Sequence, residues 1–494
     1  MTDYKNLKPS KLRKMFADVD FITEPRHHQL VSFAFGLDKN RNRVAFVHDV
    51  GTGKTLTALY MAMLWRAKRI LVVAPSSIVR KTWAPQIEQH TTWTYKILDG
   101  KIKDRIKKLG QKARIYVINY EGLQWIYGKK ESLIDPDTEE ELDKNRIVVN
   151  RRSFVDDFDC IIFDEVHKLK GRKGIRRRIA KQLTKRSTFV IGLTGTPFNK
   201  LEDLWAEYEV LDQGQTFGRS FWAFRELYFR PYGPFKWVPK DGAKEKLLKK
   251  ISWCTLRYEK RECLDLPPQV YEVRTARPTK EQQDAMMELQ GYAEEAREEQ
   301  NFFLAGQLAQ KEQQICSGFI LSRDDAGKQV TTRLLSLKKN PKIQLMLEVL
   351  EEIRGKVIIV HLYIEEGRLI EEALKKHGFT YRSLRGEIKN KDTQFFDWAE
   401  KEKYKCLVMH PASGGEGINA QMASNMIFIN RPPGAIDNIQ VEGRIHRDGQ
   451  IETCTYFDLV LEGTVDEITS KRAGNERDNL QKFLDMLSRR KYGG

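Results

Sequence analysis

Nine times along this chain a short run of apolar, largely β-branched residues is followed by a turn and then a stretch with helical spacing. In the first half the runs are "RVAFVHDV" (43–50), "RILVVAP" (69–75), "ARIYVINY" (113–120), "DCIIFDE" (159–165) and "TFVIGLTGTP" (188–197). The second half continues with "KVIIVHLYI" (356–364), "KCLVMH" (405–410), "SNMIFIN" (424–430) and "TCTYFDLVL" (453–461). Continuous apolar runs of this length suit strands buried on both faces, which means a parallel sheet with helices on either side. A chain of 494 residues is too long for one ordinary core. The pattern therefore predicts an α/β protein of two tandem lobes, each a parallel sheet flanked by helices. Residues 279–317 contain no proline and many helix formers, so a helical protrusion is expected between the lobes. The expected division is 1–257 for the first lobe, 258–338 for the connection and protrusion, 339–468 for the second lobe, and 469–494 for a basic helical tail.

The charge narrows the choice of partner. Lys and Arg number 85 against 68 Asp and Glu, a net +17, which favours a polyanion, most commonly nucleic acid. Six scattered cysteines without a CxxC pair argue against zinc ribbons and disulfide frameworks and fit a reducing compartment. The N-terminus lacks the apolar core of a signal peptide, and no apolar run approaches the roughly 20 residues of a membrane helix. The expectation is a cytoplasmic chain with no membrane role. The charged stretch 129–146, "KKESLIDPDTEEELDKNR", reads as an exposed insertion.

Chemistry concentrates at strand ends. In "HDVGTGKT" (48–55) Gly51 and Gly53 let the backbone curl so that N–H groups, with that of Thr52, face phosphate oxygens. Lys54 would reach the outer phosphates of a nucleotide and Thr55 would hold Mg²⁺. The first glycine of the usual phosphate loop is replaced by His48. "CIIFDEVH" (160–167) supplies the complementary half: Asp164 for the metal and Glu165 to orient and deprotonate water. An Asp-Glu pair can equally cap a helix, but two halves of one nucleotide site at two strand ends make that reading unfavourable. His167 either relays between the nucleotide and "LTGTP" (193–197) or is a buried, satisfied histidine.

"QVEGRIHRDGQ" (440–450) sets Arg444 and Arg447 three apart, so on a helix they would share a face and need an anion opposite. Phosphoryl transfer needs such cations. If these two supply them, ATP is the anion; alone, the pair would read as solvated arginines.

In this order the segments resemble the core of helicase superfamily two, and most closely its SWI/SNF-like branch, over about Pro25 to Ile468. "PRHHQL" (25–30) is similar to the adenine-reading segment, with Gln29 on the base and Arg26 beside it. "LVVAPSSIVRKTWAPQI", "VINYEGL", "FDEVH", "LTGTP", "LRYEKRECLDLPPQ", "ASGGEGIN" and "QVEGRIHRDGQ" resemble the further motifs of that core. The resemblance implies ATP hydrolysis between two RecA-like lobes and duplex DNA held across another face. It implies that Lys54, Thr55, Asp164 and Glu165 are catalytic, with Arg444 and Arg447 as arginine fingers and Gln440 and Gly417 near the nucleotide. Pro75, Ser76, Ser77, Asn119, Tyr120, Ser413, Gly414 and Gly415 match positions expected along the DNA backbone, where small and hydroxyl residues follow phosphates without reading bases. Asn419 would help couple the two. Val166 and His48 depart from the family pattern without removing a catalytic group. "KGRKGIRRR" (170–178) is either a further DNA patch or a solvated helix face.

The expected activity is that of an ATP-dependent translocase on double-stranded or branched DNA, acting as a monomer with ATP and Mg²⁺. A strand-separating helicase with the same motor is the rival reading. A binding protein with a dead ATPase is disfavoured by the full catalytic set, and a P-loop kinase by the second lobe.

Overall fold

The computed structural model of the chain describes residues 4–38, 41–130, 133–134, 141–143, 147–149, 158–170, 174–195, 201–232, 236–298, 302–324, 327–388, 390–412, 418–471 and 474. Its contacts divide into two compact units, built on Met1–Asp265 and on Leu266–Leu480.

The first unit is organised by a seven-stranded sheet. Across it the strands run Thr255–Tyr258, Arg43–His48, Phe189–Thr194, Cys160–Asp164, Ile70–Ala74, Ile115–Asn119 and Tyr95–Ile97, every neighbouring pair parallel. Every residue of Ile70–Ala74 and of Cys160–Asp164 is buried, as expected of strands covered on both faces. The register sets Val47 beside Thr194, Leu193 beside Asp164, and Ala74 beside Asn119. The carboxyl ends of five strands therefore lie along one edge, the usual place for a ligand in an α/β sheet.

The second unit carries a six-stranded sheet in the order Gln269–Ala276, Cys454–Leu461, Ala423–Phe428, Lys356–Val360, Cys406–Met409 and Tyr381–Leu384, again parallel throughout. All nine apolar runs of the sequence are strands in one or other sheet. Two helices, Lys280–Glu298 and Phe302–Cys316, precede this sheet's inner strands and belong to the second unit. The stretch 129–146 contributes short antiparallel pairings, Gly128–Lys130 with Ile147–Val149 and Leu133–Ile134 with Glu141–Asp143. The rest of that stretch, and 475–494 of the tail, lie outside the described residues.

The long helices are fastened to the second sheet by a buried polar network. Gln282 donates to the carbonyls of Ile315 (2.9 Å) and Cys316 (3.1 Å). Ser317 donates to Glu366 at 2.5 Å, and the other Glu366 oxygen accepts the N–H groups of Leu362 and Tyr363. Lys342, only 1% exposed, donates to Ile429 O (2.9 Å), Asn430 Oδ1 (2.9 Å) and Asp466 (2.7 Å). Three acceptors satisfy all three ammonium protons, which is what permits a lysine this deep. Lys342→Met keeps the volume but leaves Asp466 without its cation. The expected loss is about 3–5 kcal/mol by denaturant titration, and a change below about 1 kcal/mol would show that the pair contributes little.

Candidate nucleotide site and nucleic-acid face

The loop between the strand Arg43–His48 and the helix Lys54–Leu64 turns on two glycines. Gly51 (φ 90°) and Gly53 (φ 82°) both occupy the left-handed region that side chains disfavour. At Gly53 a Cβ would also stand 2.7 Å from Gln29 Nε2. Gln29 spans two segments: its amide nitrogen donates to Gly53 O (3.2 Å) and its oxygen accepts from Arg26 N (2.8 Å). His28, one residue earlier, bonds the carbonyl of Thr52 at 2.8 Å. The helix carrying "HHQL" thus fixes the loop from one side. Lys54 lies half-buried at the loop's centre, donating to the carbonyls of His48 (3.0 Å) and Asp49 (3.3 Å). Thr55 follows in the first helical turn.

His48 stands where a small residue is usual, and its ring is fully buried against Phe46, Tyr258 and His28. Burial, then the neighbouring His28 and Lys54, push its pKa well down, so the ring is neutral. Asp49 carries no motif signal in the sequence. It accepts from Arg257 (2.6 Å) and from Lys260 N (2.9 Å), which tie the loop to the segment leaving the first sheet. Burial alone would raise the Asp49 carboxyl, but Arg257 and the Lys260 N–H outweigh it and hold it below its usual value.

Asp164 ends its strand and Glu165 follows in a left-handed conformation (φ 57°), which turns its carboxylate away from the strand direction. Glu165 Oε2 meets His167 Nδ1 at 3.2 Å and the Thr194 hydroxyl at 3.3 Å, and those two lie 3.3 Å apart. His167 is therefore the link from Glu165 to the first residues of "LTGTP"; residues 196–200 lie outside the described ones. Burial raises the Glu165 pKa, but the His167 hydrogen bond and charge, with Lys54, bring it down to about 2. The carboxylate is thus ionised throughout the neutral range. Asp164 Oδ2 accepts the indole N–H of Trp83 at 2.8 Å. Tyr120 donates to the carbonyls of Asp164 (2.9 Å) and Glu165 (3.3 Å). Trp83 and Tyr120 are fully buried. Trp83 lies within "SSIVRKTW", where nothing in a lone tryptophan distinguishes an indole donor from core packing.

Of the positions expected along DNA, Ser76 is exposed and Ser77 and Asn119 are half-buried, all at or just past strand ends. Asn119 accepts from Arg105 (3.1 Å) and donates to Glu121 (3.1 Å). Pro75 is buried, and Tyr120 turns its hydroxyl inward to the carboxylate strand. Ser413, Gly414, Gly415 and Gly417 lie outside the described residues. In "KGRKGIRRR", Arg177 is buried in an ion pair with Glu209 and Arg176 pairs with Glu121 at 2.8 Å. These two arginines are occupied by carboxylates, and 171–173 are not described.

In the second unit, the helix Ala435–Glu442 leads into the two arginines. Arg431 sets its position: the guanidinium binds both Asp458 oxygens (2.7 and 2.9 Å), reaches Glu442 (2.5 Å) and lies 4.0 Å from the Phe428 ring centre. Burial opposes the charge on Arg431, but Asp458 and Glu442 more than offset it, raising its pKa. The helix stops at Gly443, so Arg444 and Arg447 stand in the turns beyond it and do not share a helical face. Arg444 donates to Pro411 O (2.8 Å) and Arg447 to Ile418 O (3.4 Å), on the two sides of 413–417 in the sequence. Gln440 is half-buried on the helix. Gln450 is structural: its amide donates to the carbonyls of Gln421, Ala423 and Ile445, and its oxygen accepts from Ile451 and Glu452 N.

Two family models match the chain: "Type III restriction enzyme, res subunit" over residues 17–199 and "Helicase conserved C-terminal domain" over 341–449. Among curated proteins, it is 23% identical to an uncharacterised ATP-dependent helicase of Bacillus subtilis, across 90% of this chain and 76% of that one. It is 26% identical to putative protein p41 of Acyrthosiphon pisum secondary endosymbiont phage 1, across 95% and 99%. A CHD3-type chromatin-remodelling factor of Arabidopsis thaliana is 24% identical over 91% of this chain, which spans 36% of that longer protein. Among solved structures, the SWI2/SNF2 ATPase core of Sulfolobus solfataricus is similar at 21% identity and a TM-score of 0.41, covering 96% of this chain and 94% of that one. With both helicase-type models matched in order and relatives aligned along nearly its whole length, the chain belongs to the SWI/SNF-like branch of helicase superfamily two, a family of DNA-dependent ATPases.

Proposed function

We propose that the protein hydrolyses ATP with Mg²⁺ to move along double-stranded DNA, displacing or remodelling what it meets there, without separating the strands. One observation supports the reading most: the exposed or half-buried Ser76, Ser77 and Asn119 adjoin the two residues, Trp83 and Tyr120, that hold Asp164 and Glu165. Trp83 holds an Asp164 carboxylate oxygen and Tyr120 holds the main-chain carbonyls of Asp164 and Glu165, so the segments that would follow the phosphates also support the end of the carboxylate strand.

The residues present suit the metal. Asp164 and Thr55 offer oxygen donors of the kind Mg²⁺ takes, and the Trp83 indole fixes one Asp164 oxygen and thereby orients the other. Bound there with the nucleotide, the ion would neutralise phosphate charge. Lys54 would exchange its two backbone carbonyls for phosphate oxygens. Glu165, kept ionised and aimed by His167 and Thr194, would orient water and take its proton. Arg444 and Arg447 would meet the remaining charge on the phosphates. The positive balance of the chain supplies the sequence-independent attraction to DNA.

Triplex displacement tests movement, and a tailed duplex tests strand separation. The expected result is ATP-dependent release of the third strand with the tailed duplex left intact. Efficient unwinding of the tailed duplex with no triplex release would replace the translocase by the helicase.

A further inference from the structure

Asp49 directly follows the strand Arg43–His48, and its polar groups serve two different segments. Its carbonyl belongs to the phosphate loop, accepting from the Thr52 hydroxyl (2.9 Å), Thr52 N (3.4 Å) and Lys54 Nζ (3.3 Å). Its amide and carboxylate belong to the edge strand Thr255–Tyr258 and the residues after it. Asp49 N donates to Tyr258 O at 3.1 Å, Oδ1 accepts from Arg257 Nη2 at 2.6 Å, and Oδ2 accepts from Lys260 N at 2.9 Å. Residues 257–265 run up to the boundary at Leu266, where the second unit begins.

Arg257 is fully buried, with its Nη1 on Val47 O at 3.0 Å. An apolar side chain there would avoid desolvating two charges, and a buried ion pair adds little net stability. What the pair does fix is position. It ties residue 257, and through the same carboxylate Lys260 N, to the residue whose carbonyl Lys54 holds. The surroundings are closely packed. The His48 ring centre lies 5.5 Å from that of Tyr258, and a Cβ on Gly195 would stand 3.1 Å from Val50 Cγ2 and 3.3 Å from Val50 N. In such packing a shift of the loop's first residues is transmitted to Tyr258–Lys260 rather than absorbed.

We propose that Asp49 is a positioning residue that carries the state of the phosphate loop into the segment 257–265. Lys54 is held by the carbonyls of His48 and Asp49, and reaching a phosphate takes it off both. Asp49 then keeps Thr52 on its carbonyl and passes any rotation of that peptide to its carboxylate, and so to Arg257 and Lys260 N. Lys260 opens the short helix Lys260–Cys263, whose first turn Glu262 closes by accepting Glu259 N at 2.8 Å. The inference rests on the nucleotide reading of the loop and names the route by which its occupancy leaves the site.

The test is hydrogen exchange of the full chain, read on peptides covering 257–265, with and without Mg²⁺ and a non-hydrolysable ATP analogue. No DNA is added, so the duplex reading is not at stake. In the wild type the analogue should slow exchange of this segment by roughly 5- to 150-fold, the range of coupling between linked sites. Asp49→Asn keeps an acceptor for Lys260 N and removes the negative charge beside Arg257. Arg257→Lys keeps the positive charge and loses the fork that spans Val47 O and Asp49. Each should cut the slowing to less than about twofold, with analogue affinity within about threefold of wild type because the open segment is a minor state. A merely structural role would raise exchange equally with and without the analogue, leaving the ratio intact. That result in both variants overturns the proposal, as does a wild-type segment indifferent to the analogue or a response lost only together with analogue affinity. Should the analogue fail to bind the wild type, the nucleotide reading falls, and this inference with it.

Discussion

Glu165→Gln should bind ATP with near-normal affinity and hydrolyse it about 10²–10⁴-fold more slowly, the usual contribution of a positioned general base. The substitution is nearly isosteric, and the amide can still meet His167 and the Thr194 hydroxyl, which surround Oε2 at 3.2–3.3 Å. What it removes is the ionised oxygen that His167 and Lys54 hold available at neutral pH. Phosphate loading should survive because Lys54, Gly51 and Gly53 are untouched. Turnover within a few-fold of wild type would assign the base elsewhere, with Asp164 the next group on the strand. A lost affinity for ATP would mean instead that Glu165 shapes the phosphate loop.

Removing an arginine finger should cost still more. Arg447→Ala is expected to lower turnover by about 10³–10⁵-fold, the range for cations that meet the charge developing on a transferring phosphoryl group. Arg444→Ala should fall in the same range, with DNA binding retained in both. Arg444 also donates to Pro411 O at 2.8 Å, so its variant needs the lysine counterpart beside it. Arg444→Lys keeps the charge and loses the planar fork, so partial rescue marks a cation at the phosphates. Normal hydrolysis with lost DNA affinity would move these residues to the DNA face.

The inner strands were legible because each is buried on both sides and must be written as an uninterrupted apolar run. Tyr95–Ile97 and Tyr381–Leu384, at sheet edges, were not, since an edge strand is short and faces solvent. Gln269–Ala276 is a third edge strand, and its alternating exposure gives it a polar text. Lys54, Asp164 and Glu165 stand out in the sequence because the chemistry proposed for them demands fixed residue types at strand ends, where the structure places them. The supports do not: Trp83, Tyr120 and Asp49 act through contacts 44–211 residues away in sequence, and only the fold brings their partners near. Arg444 and Arg447 were legible as residues but not in conformation, since Gly443 ends the helix just before them.

The measurement closest to the central claim is steady-state ATP turnover by the purified chain with no DNA, with single strands and with blunt duplex, each over a range of salt. Duplex should raise turnover well above both other conditions and with little sequence preference. The stimulation should weaken steeply as salt rises, each neutralised phosphate adding about −0.9 to the slope of log K against log[salt]. Turnover that ignores duplex, or that responds to single strands alone, would contradict the account.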